Sequence, residues 1–258
     1  MRVIWSIAAT TVGEAVRRKV LLIILLIAAL LLMVAPALGQ LSAKSSDTVL
    51  RAFMLGMIQL TSAVIALVLT VYLIPNEIER RTIYTILSKP VQRWQFLLGK
   101  YFGAVLALGL MMALMTAIQL LVYYIQQREL ALELVKAPIL FFIQMSLLAA
   151  VAMFFSTFVA PLVNFFLSGG LYLVGSLLNP LIETLSEGKS PGFAKAGVQA
   201  LSFIVPNFAS YNVQNPLINP DQVIQSETQY YLNVTVYGVF YVGVLLVAGI
   251  LIFDRREV

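Results

Sequence analysis

The apolar positions of this chain fall in long uninterrupted runs, not in the alternating or every-third patterns of half-buried soluble elements. Val20–Leu38 is 19 residues without a charge, and 13 of them are Leu, Ile or Val. At 1.5 Å per residue a helix of that length covers about 28 Å, close to the roughly 30 Å hydrocarbon core of a bilayer. Each such side chain near a helix centre favours insertion by roughly 0.3–0.6 kcal/mol. Comparable runs follow at 52–75, 101–125, 137–160, 161–182 and 230–253, none containing Asp, Glu, Lys or Arg. The pattern predicts an all-α integral membrane protein with six transmembrane helices in one domain. The joint between the fourth and fifth spans is the least marked. Pro161 and Asn164 place a tight turn there.

Ahead of the first span, residues 1–19 carry apolar side chains at Ile4, Ile7, Ala8, Val12 and Ala15, then Arg17, Arg18 and Lys19. That spacing makes one greasy stripe on a helix with a basic end, as expected of an interfacial helix lying on a membrane. A frayed tail is the alternative. A cleaved secretory signal ending near Ala35-Pro36-Ala37 is another, but its apolar core would exceed the usual run of about 7–15 residues.

Lysine and arginine placement sets the expected orientation. With six spans, the termini share a side with the 76–100 loop, and that side collects eleven of the 17 basic residues. The two sides net +6 and −1, so both termini are expected in the cytoplasm. Residues 183–229 then form one long extracytoplasmic loop, interrupted by Pro191, Pro206, Pro216 and Pro220. Within it Phe193–Val205 is apolar but only 13 residues long, which suits a re-entrant or interfacial helix.

Composition removes several chemistries. Only 11% of residues are charged, against about 25% in soluble domains. There is no cysteine and no histidine, so disulfides, thiolate metal sites, cysteine nucleophiles and the commonest general base are absent. No catalytic residue, metal site or bound cofactor is expected, and an intramembrane enzyme is disfavoured. Gly188-Lys189-Ser190 imitates the end of a phosphate-binding loop, but Glu183 stands where that motif needs glycine. Within the spans only neutral polar groups occur, among them Gln59, Gln119, Gln144 and Asn164, and interhelical hydrogen bonding is their expected role. Ion-coupled carriers generally embed a titratable group, so an ATP-independent carrier or channel is weakened without being excluded. A largely apolar interior suits amphiphilic cargo or movement driven from outside the bilayer. Gly99 and Gly103 form a GxxxG at the start of the third span, a pattern that also arises by chance among 15 glycines.

The densest constellation is Asn76–Lys100. Glu77 and Arg81 stand four apart, the orientation that supports a helix. Ile78, Thr82, Ile83 and Ile86 share a face, Arg80, Arg81 and Tyr84 project elsewhere, and Pro90 ends the helix. A turn-around would need only about 2–8 residues. The loop reads as a short amphipathic helix presented to a partner, either a protein or lipid headgroups.

Glu79-Arg80-Arg81-Thr82, then Leu87-Ser88-Lys89-Pro90-Val91-x-Arg93 and Phe96-Leu97-Leu98-Gly99-Lys100, resemble the first cytoplasmic loop of type-2 ABC transporter permeases. The likeness is to the branch containing the permease of nitrous oxide reductase maturation. Val205-Pro206-Asn207-Phe208 and the ending Phe253-Asp254-Arg255-Arg256-Glu257 agree with it. The resemblance implies a membrane subunit of an exporter in a prokaryotic inner membrane, paired with a second permease subunit as a homodimer. It further implies two cytoplasmic ATPase subunits that carry ATP and Mg, with the 76–100 loop as the coupling helix. Glu77, Glu79, Arg80, Arg81, Thr82, Tyr84, Pro90 and Arg93 are then the residues expected to meet the ATPase. Lipid and a periplasmic accessory protein complete the expected partners, and nucleic acid is not among them. A permease-like scaffold transmitting motion to a periplasmic protein is the alternative function.

Overall fold

The computed structural model describes residues 2–40, 46–79, 92–129, 132–187, 197–198, 200–202, 205–212 and 227–255. Among the described residues every regular element is a helix. In chain order they are α1 (Arg2–Arg17), α2 (Lys19–Gln40), α3 (Ser46–Val71), α4 (Leu73–Glu79), α5 (Arg93–Gln127), α6 (Lys136–Ser156), α7 (Pro161–Glu187) and α8 (Glu227–Arg255). Short 3-10 turns at Leu132–Val135 and Ala209–Tyr211 accompany them.

Five stretches are long and apolar enough to cross a bilayer: Lys19–Ala37, Asp47–Glu77, Arg93–Gln127, Lys136–Ser156 and Thr228–Arg255. The apolar part of α7, Pro161–Ser176, is shorter. This is a multi-pass membrane protein. At 1.5 Å per residue α5 alone measures about 52 Å, so it overshoots the hydrocarbon by several turns. The α3–α4 rod overshoots likewise. It is jointed at Tyr72 because Pro75 lacks an N–H and its ring crowds the carbonyl four residues back, at Val71, where α3 stops.

α6 is the centre of the bundle. Its residues from Leu147 to Met153 are all buried, because α3, α5, α7 and α8 surround it. A helix apolar on every side is what such a position requires. α2, by contrast, buries one stripe, Leu21, Ala28, Leu32 and Ala35, and leaves Leu22, Ile23, Leu26, Ile27 and Leu30 exposed to the surrounding apolar medium. α6 and α7 meet in a turn over residues 157–160. Asn164 clasps it: its amide nitrogen donates to the Ala152 carbonyl at 2.9 Å, and its oxygen accepts from the Ser168 hydroxyl at 2.8 Å.

One irregular segment, residues 205–212, is packed into the bundle between α6, α7 and α8. Phe208 and Tyr211 are wholly buried. Irregular backbone persists at such depth only when its polar groups are satisfied by protein. Here Phe208 N–H donates to the Gly175 carbonyl at 3.2 Å, and the Phe208 carbonyl accepts from the Gln144 amide at 2.8 Å. The Ser210 carbonyl accepts from the Tyr230 hydroxyl at 2.6 Å, and the Tyr211 hydroxyl donates to the Val234 carbonyl at 3.2 Å. Two glycines make room. A Cβ on Gly175 would stand 2.4 Å from the Pro206 carbonyl oxygen, and one on Gly238 2.5 Å from the Tyr211 hydroxyl. The 193–205 stretch expected to be re-entrant lies largely outside the described residues.

Candidate functional site at the membrane junction

α1, the end of α4, the start of α5 and the end of α8 gather at one end of the bundle. α1 lies across α5, and its stripe is spent on that helix. Ala8, Thr11 and Ala15 are buried, so the greasy face meets a protein surface where lipid was expected. The GxxxG glycines are the seat. A Cβ on Gly103 would come within 2.5 Å of Thr11 Cβ, and one on Gly99 within 2.8 Å of Ile7 Cβ. The two helices touch there because those positions lack side chains.

Directly beside this seat is Lys100, whose side chain is only 4% exposed. Its ammonium stands 2.5 Å from a Glu77 carboxylate oxygen on α4 and 3.7 Å from Glu14 on α1. It also lies 5.9 Å from the centroid of the Phe96 ring. A buried ammonium needs an opposite charge within reach, and Glu77, itself only 14% exposed, supplies it. Glu14 is 55% exposed and adds a weaker, solvent-screened contact. One cation therefore ties three helices together.

α5 begins with Gln92 as its cap, whose N–H donates to the Gln95 side chain at 3.3 Å, while the Trp94 indole donates to the Gln92 side chain. Arg93 then reaches the far end of the chain. Its guanidinium donates to the carbonyls of Phe253 at 3.1 Å and Asp254 at 3.2 Å, the last turn of α8, where a cation complements the exposed carbonyls. Phe96 stacks on Phe253, with ring centroids 6.4 Å apart. The two ends of segment 80–91 are thus both anchored, Glu77 through Lys100 to α1 and Arg93 to α8. Glu79 is the last residue of α4 and is exposed. Arg80, Arg81, Thr82, Tyr84 and Pro90 lie outside the described residues.

The profile of the ABC-2 family transporter proteins matches residues 5–258. The chain belongs to the ABC-2 transporter family. It is a permease, and membership implies association with an ABC ATPase and with a membrane partner. No curated relative matches it. ABC-2 permeases are generally non-catalytic, and among the described residues no group of acids could hold a metal.

The intramembrane polar residues sit elsewhere in this ABC-2 chain. Gln59 on α3 donates to the Gln144 amide oxygen on α6 at 3.2 Å, and Gln144 holds the Phe208 carbonyl. Gln119 on α5 is fully buried, and neither end of its amide has a hydrogen-bond partner. Lys100, Glu14 and the two glycines did not stand out as site residues from sequence. A signal was present for Lys100. Phe96, Leu97 and Gly103, at helical spacing around it, put its base on an apolar face.

Proposed function

We propose that this chain is the membrane-spanning permease subunit of an ATP-driven exporter, acting as one of two copies above a pair of ATPase subunits. Segment 80–91 is the coupling element that the ATPases seize. The observation that carries this reading is Lys100, held between Glu77 and Glu14 at the foot of that segment. A push on a loop anchored in this way reaches α1, α5 and α8 together and is not lost in one flexible hinge. ATP biases the permease only through contacts that differ between its two states, and exposed Glu79 together with Arg80, Arg81, Thr82 and Tyr84 of the segment that follows is where such contacts would form. Glu77 and Arg93 transmit the motion from inside.

α7 is the fifth crossing and brings the number to six, entering at the junction with Gly175 against residues 206–208 towards the other end. The basic excess beside the junction supports cytoplasmic termini in a prokaryotic inner membrane. Retention of the ATPase in detergent tests the reading. Arg81→Ala or Glu79→Ala should lower co-purified ATPase while leaving permease levels in the membrane unchanged. Full retention with normal transport would reject it.

A second reading has its own support. Segment 205–212 is bonded to α6, α7 and α8, so movement of those helices would also move the extracytoplasmic loop. A scaffold that works on a periplasmic protein would use this link and move no cargo into inverted vesicles.

A further inference from the structure

Between α3, α6, α7 and segment 205–212 lies a cavity of about 240 Å³ that the coupling machinery does not use. Its walls carry Gln59, Gln144, Tyr172, Ser176 and Asn212, and it contains no Asp, Glu, Lys or Arg. Gln144 is wholly buried. The Ser176 hydroxyl donates to the Tyr172 backbone carbonyl at 2.7 Å, and the Gln59 amide donates to the Gln144 amide oxygen at 3.2 Å. Phe208, packed edge-on to Tyr172 with centroids 5.3 Å apart, forms part of the lining. The mouth is apolar. Leu60 and Leu173, 59% and 62% exposed, flank it, and Gly56 leaves open space where a Cβ would meet nothing within 4 Å. The opening therefore faces sideways between α3 and α7. It lies about 7–13 Å along α3 from Arg51 at 1.5 Å per residue, inside the apolar stretch Asp47–Glu77 that is long enough to cross a bilayer.

We infer that this cavity is a binding site for the uncharged, hydroxyl- or amide-bearing head of a membrane-borne amphiphile. The chemistry selects that class by elimination. A charged head would leave water for a wall with no counter-charge, at a large desolvation cost. A bare hydrocarbon would gain nothing from amides and hydroxyls, which are better matched by a group that both donates and accepts. The apolar mouth suits a tail that remains among lipid chains while the head is held inside. As a cargo site the cavity rests on the permease reading, but as a binding site it stands on its lining alone.

The test uses the full chain in lipid nanodiscs and three diazirine probes of equal chain length: a monoacylglycerol, a fatty acid and a plain alkane. Peptides spanning Gly56–Leu60 and Tyr172–Ser176 are read by mass spectrometry. The monoacylglycerol should label them about tenfold more than either other probe, the ratio expected of one well-made hydrogen-bonded contact. Labelling should fall severalfold in Tyr172→Phe and Ser176→Ala, which remove only hydroxyls, and in Gly56→Leu, which blocks the mouth. Equal labelling by the fatty acid or alkane, no labelling of these peptides, or indifference to all three substitutions would overturn the site. ATPase retention on the same preparations separates the two ideas. Retention without labelling rejects the cavity alone, and labelling without retention rejects the ATP-driven exporter reading alone.

Discussion

The Lys100 ammonium and the Glu77 carboxylate meet at 2.5 Å across the gap between α5 and α4, with both side chains largely withdrawn from solvent. Removing one partner strands the other charge, which costs about 3–5 kcal/mol for a buried pair. Lys100→Met and Glu77→Met should each lower the thermal midpoint sharply. The double substitution should recover most of the loss, because an apolar pair of similar volume is often neutral. Strictly additive losses in a double-mutant cycle would show that the pair is not coupled.

Gly103 predicts how closely α1 must approach. A methyl group there would stand 2.5 Å from Thr11 Cβ, so Gly103→Ala has to push the helices apart. Overpacking of this kind costs about 1–3 kcal/mol. Gly13 on α1 is the control, since a Cβ there meets nothing within 4 Å and Ala is the better helix former by about 1 kcal/mol. Thermal unfolding should drop for the first variant and hold or rise for the second.

The seat of segment 205–212 is tested by reactivity. Because the chain has no cysteine, Ser210→Cys gives a single thiol beside the buried Tyr211. Adding Gly175→Ala, whose methyl would meet the Pro206 carbonyl, should speed thiol modification about tenfold, as expected if roughly 1.4 kcal/mol of local stability is lost. Adding Gly170→Ala should leave it unchanged, since nothing lies within 4 Å of a Cβ there.

Gln119 predicts a gain. Its amide is buried with both ends unpartnered, an arrangement that costs about 1–3 kcal/mol relative to an apolar side chain of the same shape. Gln119→Met should raise the thermal midpoint in detergent. A fall would mean that the amide is engaged in the working assembly.

Sidedness has a direct measurement in the same cysteine-free background. Single cysteines at Ser45 and Ser190 should react with impermeant thiol reagents applied from outside the cell, and one at Arg255 should not. Protection of the first two would invert the topology and remove the junction from the ATPase.

That the chain carries several membrane-crossing helices was legible in the sequence because transfer into lipid is a local property. Nineteen charge-free residues from Val20 insert wherever their neighbours lie. The turn at Pro161 was legible for a similar reason, since ring geometry and a nearby polar side chain act within a few residues. The motif Val205-Pro206-Asn207-Phe208 could be noticed, but not that Gly175 and Gly238 make the space it occupies. Nor could the partner of the GxxxG be read. Hydrocarbon is as apolar as leucine, so greasiness does not choose which helix faces meet, and close packing at small residues does. That choice brought Ile7 and Thr11 onto Gly99 and Gly103, and with them Glu14 towards Lys100. Sequence determined that this chain crosses the membrane and presents a charged segment between its second and third spans. Only the tertiary structure decided that the segment is anchored at both ends, because the groups that anchor it are up to 161 residues apart in the chain and meet through packing.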